Sequence, residues 1–503
     1  MNFIDSFLNR ITMYRLTLWG LSLLAALAVA FTLAGWLPYT GFELLISLIL
    51  LLIASRAANA VGVLFTKAAP TPESSYITAL ILFFILAPVQ SGHDALFIML
   101  AAVIAMLSKY VLAIRRKHLF NPAAFAVFVF GIFNIGTAIW WVATPIMLPF
   151  VAIFGFLLVR KLRRADLFWS FALVAALVFL LRSFLSGVDL VSSASLFITS
   201  FPVIFFGTIM LTEPQTTPPT KTDRIIYGGL TGILFSVAFQ FGTLFATPEF
   251  ALLVGNIYSF IVSRGKLYKL RFQSRAPLAR DIFELVFVSE TPVSFQPGQY
   301  MEWTSPHRKK DSRGVRRYFT IASAPSDPFI RLGLKMPVES STFKDSLKNI
   351  EKGMVLFATN IEGGFTLPKD PNQKIACIAA GIGITPFMSM FRHLATQNAR
   401  RDIVLIYAAA MPLDFAYQDE MESFKDSIGL RTFYLPTDFT ELSNWDGPSG
   451  YLTNAIIEKN IPDFASRHWY LSGPDAMVKN YKWLVKRMGV HARNIKTDYF
   501  PGF

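Results

Sequence analysis

Apolar residues fall in ten runs over the first half of the chain, at 16–36, 42–54, 76–89, 95–114, 123–135, 142–159, 167–181, 195–211, 225–245 and 250–262. A straight helix crossing a membrane needs about 20 apolar residues. The second, third, fifth and tenth runs are shorter. They read either as broken or half helices, as at sites built at membrane depth, or as spans whose ends are drawn too tightly. After Lys266 the period changes. Short alternating stretches at 267–272, 282–288, 301–304, 318–322, 330–336 and 354–359, with a Pro297-Gly298-Gln299 turn, predict a small antiparallel β-barrel. Beyond Pro371 a buried strand (375–379), a glycine turn, a helix to Leu394, a strand (403–408), a helix (415–424), a strand (469–471) and a helix (477–488) predict βαβ alternation and a parallel sheet. Three segments result: a polytopic α-helical membrane domain of about ten spans (1–263), a β-barrel (264–368) and an α/β nucleotide-binding domain (369–503).

Composition sharpens this division. Of 503 residues, 53% are hydrophobic and 16% charged, with a mean hydropathy of +0.46; soluble domains carry about 25% charged residues. Residues 1–266 hold 17 Lys and Arg and 9 Asp and Glu, against 30 and 24 in the remainder. Fifteen of those 17 basic residues fall in loops on one side of the ten spans, Arg182 alone on the other, and Lys109 inside a span. This positive-inside pattern predicts a multi-pass protein of the cytoplasmic (inner) membrane with both termini and the polar half in the cytoplasm. The first apolar run opens a series and does not read as a secretory leader. One cysteine excludes a disulfide scaffold, a four-thiolate iron–sulfur cluster and a CxxC site. Of six histidines only His93 and His118 lie in the apolar half, so a bis-histidine haem pair is not expected. One basic run, His307 to Arg313, reads as a solvated hairpin tip or a contact with anionic lipid headgroups, not as a nucleic-acid surface.

Polar residues at the mouths of the apolar runs are candidate chemistry. They are Glu73 to Leu80 with Thr78, Phe120-Asn121-Pro122-Ala123-Ala124, and Met210 to Thr220 with Thr212, Glu213 and Thr216. Helix capping and turn formation explain such residues, and so does backbone left free to hold a ligand. Lys109 is either a functional buried charge or a side chain snorkelling to the interface. In this order the segments resemble the membrane flavoprotein subunits of two respiratory complexes, the D subunit of the Rnf complex and the B subunit of the sodium-pumping NADH:quinone oxidoreductase. The resemblance covers most of residues 1–263 and implies ten spans and a flavin. Those subunits attach FMN to a threonine in an S/T-G-A-T-like motif after span five. Here that position holds only a turn around Gly136 and Thr137, and Ser192-Ser193-Ala194-Ser195 lacks the glycine and the threonine. A non-covalent FMN or riboflavin near Thr78, Lys109, Asn121, Pro122, Thr212, Glu213 and Thr216 is therefore what the resemblance implies.

In the polar half, Gly381-Ile382-Gly383-Ile384-Thr385-Pro386 follows a buried strand, where glycines let backbone approach a pyrophosphate at a helix N-terminus. Cys377, in that strand, reads as core. Arg317-Tyr318-Phe319-Thr320 resembles the R-x-(Y/F)-(S/T) flavin motif of the ferredoxin–NADP reductase superfamily. Lys335, Ser340-Ser341-Thr342, Gly363-Gly364-Phe365, Gly381 to Pro386, Ser472-Gly473-Pro474-Asp475-Ala476-Met477 and the aromatic end at Phe500 follow in family order. The resemblance spans 267–503. It implies FAD held by Arg317 (pyrophosphate), Phe319 (stacking) and Thr320 (flavin N5 edge), with Lys335, Ser341 and Thr342 near the phosphates. NAD(P)H would lie against Gly381, Gly383, Thr385, Pro386, Ser472, Gly473, Pro474 and Met477. Ser472 replaces the family's cysteine beside the hydride path, and Phe500 would cover the flavin. The stretch 408–415 carries Asp414 and no basic residue, which favours NADH, although Arg431 stands near the next strand. The whole reads as a fusion that passes electrons from NAD(P)H through FAD to a membrane flavin and on to a quinone or an extracytoplasmic acceptor. The alternatives are a redox-driven sodium or proton transporter and a membrane-anchored reductase serving a separate protein.

Overall fold

A computed structural model describes residues 4, 7–8, 11–66, 72–114, 117–263, 267–305, 307, 315–338, 340–438, 445 and 447–500. The chain divides into two compact units, Met1–Arg264 and Gly265–Phe503.

The first unit is helical: α1 (Met13–Leu33), α2 (Gly41–Thr66), α3 (Pro72–Ile85), α4 (Gly92–Val111), α5 (Pro122–Ile132), α6 (Leu148–Leu162), α7 (Ala165–Leu185), α8 (Leu190–Thr199), α9 (Lys221–Ser236) and α10 (Pro248–Val262). Each apolar run contains or overlaps a helix, but the expectation of ten spans is not met. Among the described residues, four helices are long and apolar enough to cross a membrane: α1, residues 41–65 of α2, α4 and α7. A fifth arises if α8 and the segment Val203–Met210, bent by 53° and ending in a π-helical turn, count together. The reason is punctuation. Proline opens α3, α5 and α10, Asn121 and Thr247 cap the last two through Ala124 N–H and Phe250 N–H, and polar residues end the runs early. The second run is longer than predicted. The pattern resumes past Ser55 and Arg56, and Asn59 accepts the Tyr110 hydroxyl at 2.7 Å, so α2 continues to Thr66.

In the second unit, β1 (Tyr268–Ala279), β2 (Ile282–Ser289), β3 (Tyr300–Thr304), β4 (Arg316–Thr320), β5 (Phe329–Lys335) and β6 (Val355–Glu362) form one antiparallel sheet of order β4-β3-β6-β1-β2-β5, with the short helix α11 (Thr342–Lys348). The strand spacing predicted a barrel. The ladder is instead open between β4 and β5, which one backbone bond just past β4 joins, Ala322 N–H to the Arg331 carbonyl. The apolar set alternates inward, with Leu270, Leu285, Phe287, Met301, Trp303 and Leu332 fully buried.

Strands β7 (Ile375–Ala380), β8 (Ile403–Ala409), β9 (Leu430–Pro436), β10 (His468–Pro474) and β11 (Ile495–Phe500) form a parallel sheet of order β9-β8-β7-β10-β11. Helices α12 (Thr385–Thr396), α13 (Gln418–Ile428), α14 (Asn454–Asn460) and α15 (Asp475–Arg487) pack on it. β7 and β8 are buried along nearly their whole length, as a central parallel strand requires. The helix predicted at 415–424 begins three residues later, because Pro412–Asp414 is a 3-10 turn. β9 is the strand expected near Arg431, whereas α14 and β11 have no counterpart in the sequence pattern.

Candidate active site

The order β9-β8-β7-β10-β11 reverses direction at β7 and β10, and ligands of such sheets bind beyond the carboxyl ends of the strands at that switch point. Both glycine motifs lie there. Ala379 pairs with Ser472 across β7 and β10. A Cβ on Gly383 would stand 2.5 Å from the Ser472 carbonyl oxygen and 2.7 Å from Gly473 Cα, both backbone and unable to yield. Gly473, at φ +153°, faces Met477 and Ala380. Gly381, Gly383, Ser472, Gly473 and Met477 thus gather into one backbone-lined cradle, at which Thr385 and Pro386 open α12. The Thr385 hydroxyl donates to the Ile382 carbonyl and closes its own turn. Ser472 is fully buried, and its Oγ has no protein partner. An orphaned buried hydroxyl costs about 1–3 kcal/mol unless something pairs with it. Cradle and hydroxyl together suit a nucleotide's backbone-bound, hydrogen-bonding face. Pro474 is exposed.

The flavin-motif residues form a second group. On β4, Arg317 and Phe319 share a face. Both meet Phe343 of α11: the Arg317 guanidinium lies 5.5 Å from its ring centroid, and the Phe319 centroid lies 5.7 Å away. Ser341, buried, caps α11 by accepting from Lys344 N–H, and Thr342 Oγ1 sits 3.2 Å from His307 Nε2. Arg317 and Phe319 therefore meet the same ring, that of Phe343, which directly follows Ser341 and Thr342 in the chain. Tyr318, 51% exposed, stands edge-on to Tyr300, and Thr320 is buried at the end of β4.

Three predicted residues have other surroundings. Phe365 is core, packed on Phe387 and Tyr470. Asp414 accepts from Met411 N–H and holds the turn after β8. Lys335 ends β5 with an exposed side chain. Arg431 pairs with Asp402 at the amino end of β9, the end opposite the switch point. Cys377 is 1% exposed, and burial pushes its thiol up, so it stays protonated core. The Phe500 side chain, residues 501–503, the linker 264–266 and most of the basic run at 308–313 lie outside the described residues.

In the helical unit the predicted residues also converge. Glu213 accepts from Asn121 Nδ2 at 2.9 Å through Oε2, and its Oε1 lies 3.0 Å from His118 Nε2. Thr216 Oγ1 is 3.4 Å from the same carboxylate, and Thr217 donates to the Glu213 carbonyl. Lys109 gives three hydrogen bonds, to the Ser74 carbonyl, Ser74 Oγ and Thr78 Oγ1, at 2.7–3.1 Å. Thr212 donates to the Thr208 carbonyl, and Pro122 is buried in the first turn of α5. His118, Asn256 and Tyr227 were not singled out as site residues from the sequence. Asn256 Oδ1 accepts from Asn121 N–H, and its amide donates to the Tyr227 hydroxyl. Asn256 lies 135 residues from Asn121, a pairing no local pattern carries.

Comparison with known proteins places the second unit. Residues 377–482 match the family model of the oxidoreductase NAD-binding domain. The glycine betaine monooxygenase reductase subunit of Chromohalobacter salexigens is 28% identical over 225 residues, 44% of this chain and 60% of that protein. A flavohemoprotein of Halalkalibacterium halodurans is 24% identical over 218 residues, 41% and 53% of the two chains. The chain thus spans between half and two thirds of the length of these relatives. Among solved structures, a cytochrome P450 reductase from Amycolatopsis superposes with a TM-score of 0.42 at 21% identity, covering 47% of this chain and 71% of the other. The second unit is thus similar to the reductase parts of these proteins, and its residues 377–482 match an oxidoreductase NAD-binding domain.

Proposed function

We propose that the protein is a membrane-bound NAD(P)H-dependent flavin oxidoreductase that takes electrons from a cytoplasmic nicotinamide nucleotide and delivers them to a membrane-side acceptor, a quinone or an extracytoplasmic group. The observation that carries the reading is the close backbone approach of Gly383 to Ser472 and Gly473 at the switch point, where the buried Ser472 hydroxyl has no hydrogen-bond partner. FAD, when bound, supplies the exchange between two-electron and one-electron transfer.

The chain's own residues divide the work. Arg317 offers a charged fork for a pyrophosphate, Phe319 a flat ring, and Thr320 a small hydroxyl at the strand end. Ser341 and Thr342, with Lys335, would serve the phosphates. Backbone at Gly381 and Gly383, with Thr385 and Pro386 opening α12, accepts the nucleotide pyrophosphate. Ser472 orients the nicotinamide by one hydrogen bond, flanked by Gly473, Pro474 and Met477. Phe500 would shield the flavin. Asp414 after β8, and Arg431 at the wrong end of β9 for a 2′-phosphate, favour NADH over NADPH.

The first unit is read as the membrane-embedded, multi-pass part, with both termini cytoplasmic. A non-covalent FMN or riboflavin would sit against the Lys109–Thr78 and Asn121–Glu213 groups. Redox-driven ion transport is the second reading, favoured by the ionisable groups of Lys109, Glu213 and His118 inside an apolar unit. The deciding experiment is flavin release from the detergent-purified full chain, with chromatography and mass identification. FAD together with a second, freely released flavin is expected. FAD alone removes the membrane flavin and leaves a tethered reductase, and absence of FAD overturns the reading.

A further inference from the structure

The peptide just past β4, Ile321-Ala322-Ser323, is held from several directions, and two of its restraints come from the helix that starts at the nucleotide cradle. Arg392 on α12 donates from NH1 to the Ala322 carbonyl at 2.9 Å, and Ser389, one turn earlier, donates to the Ser323 carbonyl at 2.8 Å. From the sheet side, Ala322 N–H donates to the Arg331 carbonyl, and Arg331 N–H donates to Ser323 Oγ. One helix therefore begins at Thr385 and Pro386 and ends its second turn on the residues that follow Thr320. Gly333 of β5 reinforces the contact: a Cβ there would lie 2.6 Å from Thr385 Cγ2 and 2.7 Å from the Tyr417 hydroxyl.

Arg392 itself is fixed by charge. Its Nε and NH2 form a two-pronged pair with Glu420 at 2.6 Å each, and NH1 also meets Glu284 Oε1 at 2.9 Å. Glu284, 5% exposed on β2, accepts in addition from Arg331 NH1 at 3.0 Å and from the Tyr417 hydroxyl at 3.2 Å. Burial, then the Glu284 carboxylate, hold the Tyr417 phenol well above its ordinary range, so it remains a donor. Burial opposes the charge on Arg392, and the two carboxylates outweigh it. Asp327 completes the set on Arg331. Two arginines against three carboxylates, all hydrogen-bonded, link β2, β5, α12 and the Glu420 turn of α13 in one network. Lysine at 392 could not reproduce the fork.

We propose that Arg392, clamped by Glu284 and Glu420, is a positioning residue that sets the register between the flavin strand and the nicotinamide cradle. This rests on the reductase reading above and goes beyond it by naming what fixes the geometry. With nucleotide and flavin bound, the step it positions would be hydride transfer from nicotinamide C4 to flavin N5, in which one C–H bond would break, one N–H bond form, NADH leave as NAD⁺ and the flavin take both electrons. Transfers of this kind are steep in distance, and a misplacement of about 1 Å costs on the order of 100-fold.

The test compares the detergent-purified full chain with Arg392→Lys, Arg392→Leu and Ser389→Ala. Anaerobic flavin reduction by NADH should slow by about 10- to 100-fold in Arg392→Leu, less in Arg392→Lys and least in Ser389→Ala. Half-saturation by NADH should stay within about twofold of wild type, and the deuterium isotope effect with 4-deuterated NADH should rise as transfer becomes rate-limiting. Independently of turnover, hydrogen exchange at the Ala322 amide should quicken in the same order. If Arg392→Leu does not fold, the other two variants carry the comparison. Reduction rates, isotope effect and Ala322 exchange equal to wild type in folded variants, with only the melting temperature lowered, would overturn the inference. A wild-type chain that binds no FAD, or is not reduced by NADH, overturns the reductase reading itself.

Discussion

Two clusters of buried polar residues, one in each unit, differ in how their groups are paired. In the helical unit, Lys109, Asn121, Glu213 and Asn256 find partners in one another and in nearby hydroxyls and backbone. In the second unit two glycine motifs pack backbone on backbone at Gly383 and Gly473, beside a buried Ser472 hydroxyl with no hydrogen-bond partner. A closed polar network in apolar surroundings fixes helix register and holds charge where water is absent. An open, orphaned one is a cost that a ligand relieves. The contrast separates buried groups that are paired within the fold from one that is not, and it ranks substitutions by what each leaves unpaired or displaced.

The largest effect belongs to the cradle. In Gly383→Val the new side chain meets the Ser472 carbonyl and Gly473 Cα, neither of which can rotate away. NADH-dependent flavin reduction should fall by about 100-fold or more, with the melting temperature lowered as for an overpacked site, about 1–3 kcal/mol. Stopped-flow absorbance and thermal unfolding check the two halves of that statement. If Gly383→Val retains full activity, the cradle is not the nucleotide site.

Glu213→Ala comes next. It strips the acceptor from Asn121 Nδ2 and the partner from His118, and unpaired buried groups cost about 1–3 kcal/mol. Loss of thermal stability in detergent should therefore be substantial, while reduction of ferricyanide by NADH stays near wild type. Glu213→Gln, which keeps an acceptor oxygen, should recover most of the stability. A ferricyanide activity that falls in step with Glu213→Ala would show that the two units do not act as separately as the comparison states.

How far each unit could be read from sequence follows the same line. The reductase motifs are local. Gly381 to Pro386, Arg317 to Thr320 and Ser472 to Met477 each need a backbone conformation or spacing that a few adjacent residues specify. The clamp was invisible, because Glu284 and Arg392 are 108 residues apart and look like ordinary surface charges in sequence. In the helical unit, hydropathy located the helices but not their lengths. A proline and a cap hold α5 to 11 residues, α10 begins two residues before its apolar run, and Ser55, Arg56 and Asn59 did not stop α2. Of the Glu213 cluster only the participants at span mouths were legible. His118 read as a loop residue, and Tyr227 and Asn256 were hidden inside apolar runs.

Ser472→Ala sharpens the comparison from the other side. Removing a hydroxyl that no protein group meets should leave stability unchanged or raise it by up to about 1 kcal/mol, the reverse of Glu213→Ala. Flavin reduction by NADH should still slow several-fold, because the hydrogen bond it would give is made only with nucleotide present. Thermal unfolding without nucleotide and stopped-flow reduction with it measure the two signs. A clear loss of stability in Ser472→Ala would mean that the hydroxyl has a partner in the folded protein after all.

The smallest effect is a pH dependence confined to the reductase unit, and its sign is fixed. Asp463 accepts from Arg467 Nε at 2.7 Å and from Lys374 at 2.8 Å, and the Arg467 hydrogen bonds, opposed by partial burial, lower its carboxyl to about 2. A carboxyl depressed in the folded state stabilises above its unfolded value, near 3.9, and loses that contribution as pH falls toward 2. With the side chain 32% exposed, screening leaves on the order of 1 kcal/mol. The β-sheet infrared band of the full chain, followed through heating at successive pH values, should show the midpoint dropping between about pH 4 and 2. In Asp463→Asn that step should shrink, with a lower midpoint at neutral pH, because Arg467 is 1% exposed and keeps only Asp402 as a charged partner. An Asp463→Asn curve parallel to wild type through that window would show that Asp463 does not set the acid sensitivity of this unit.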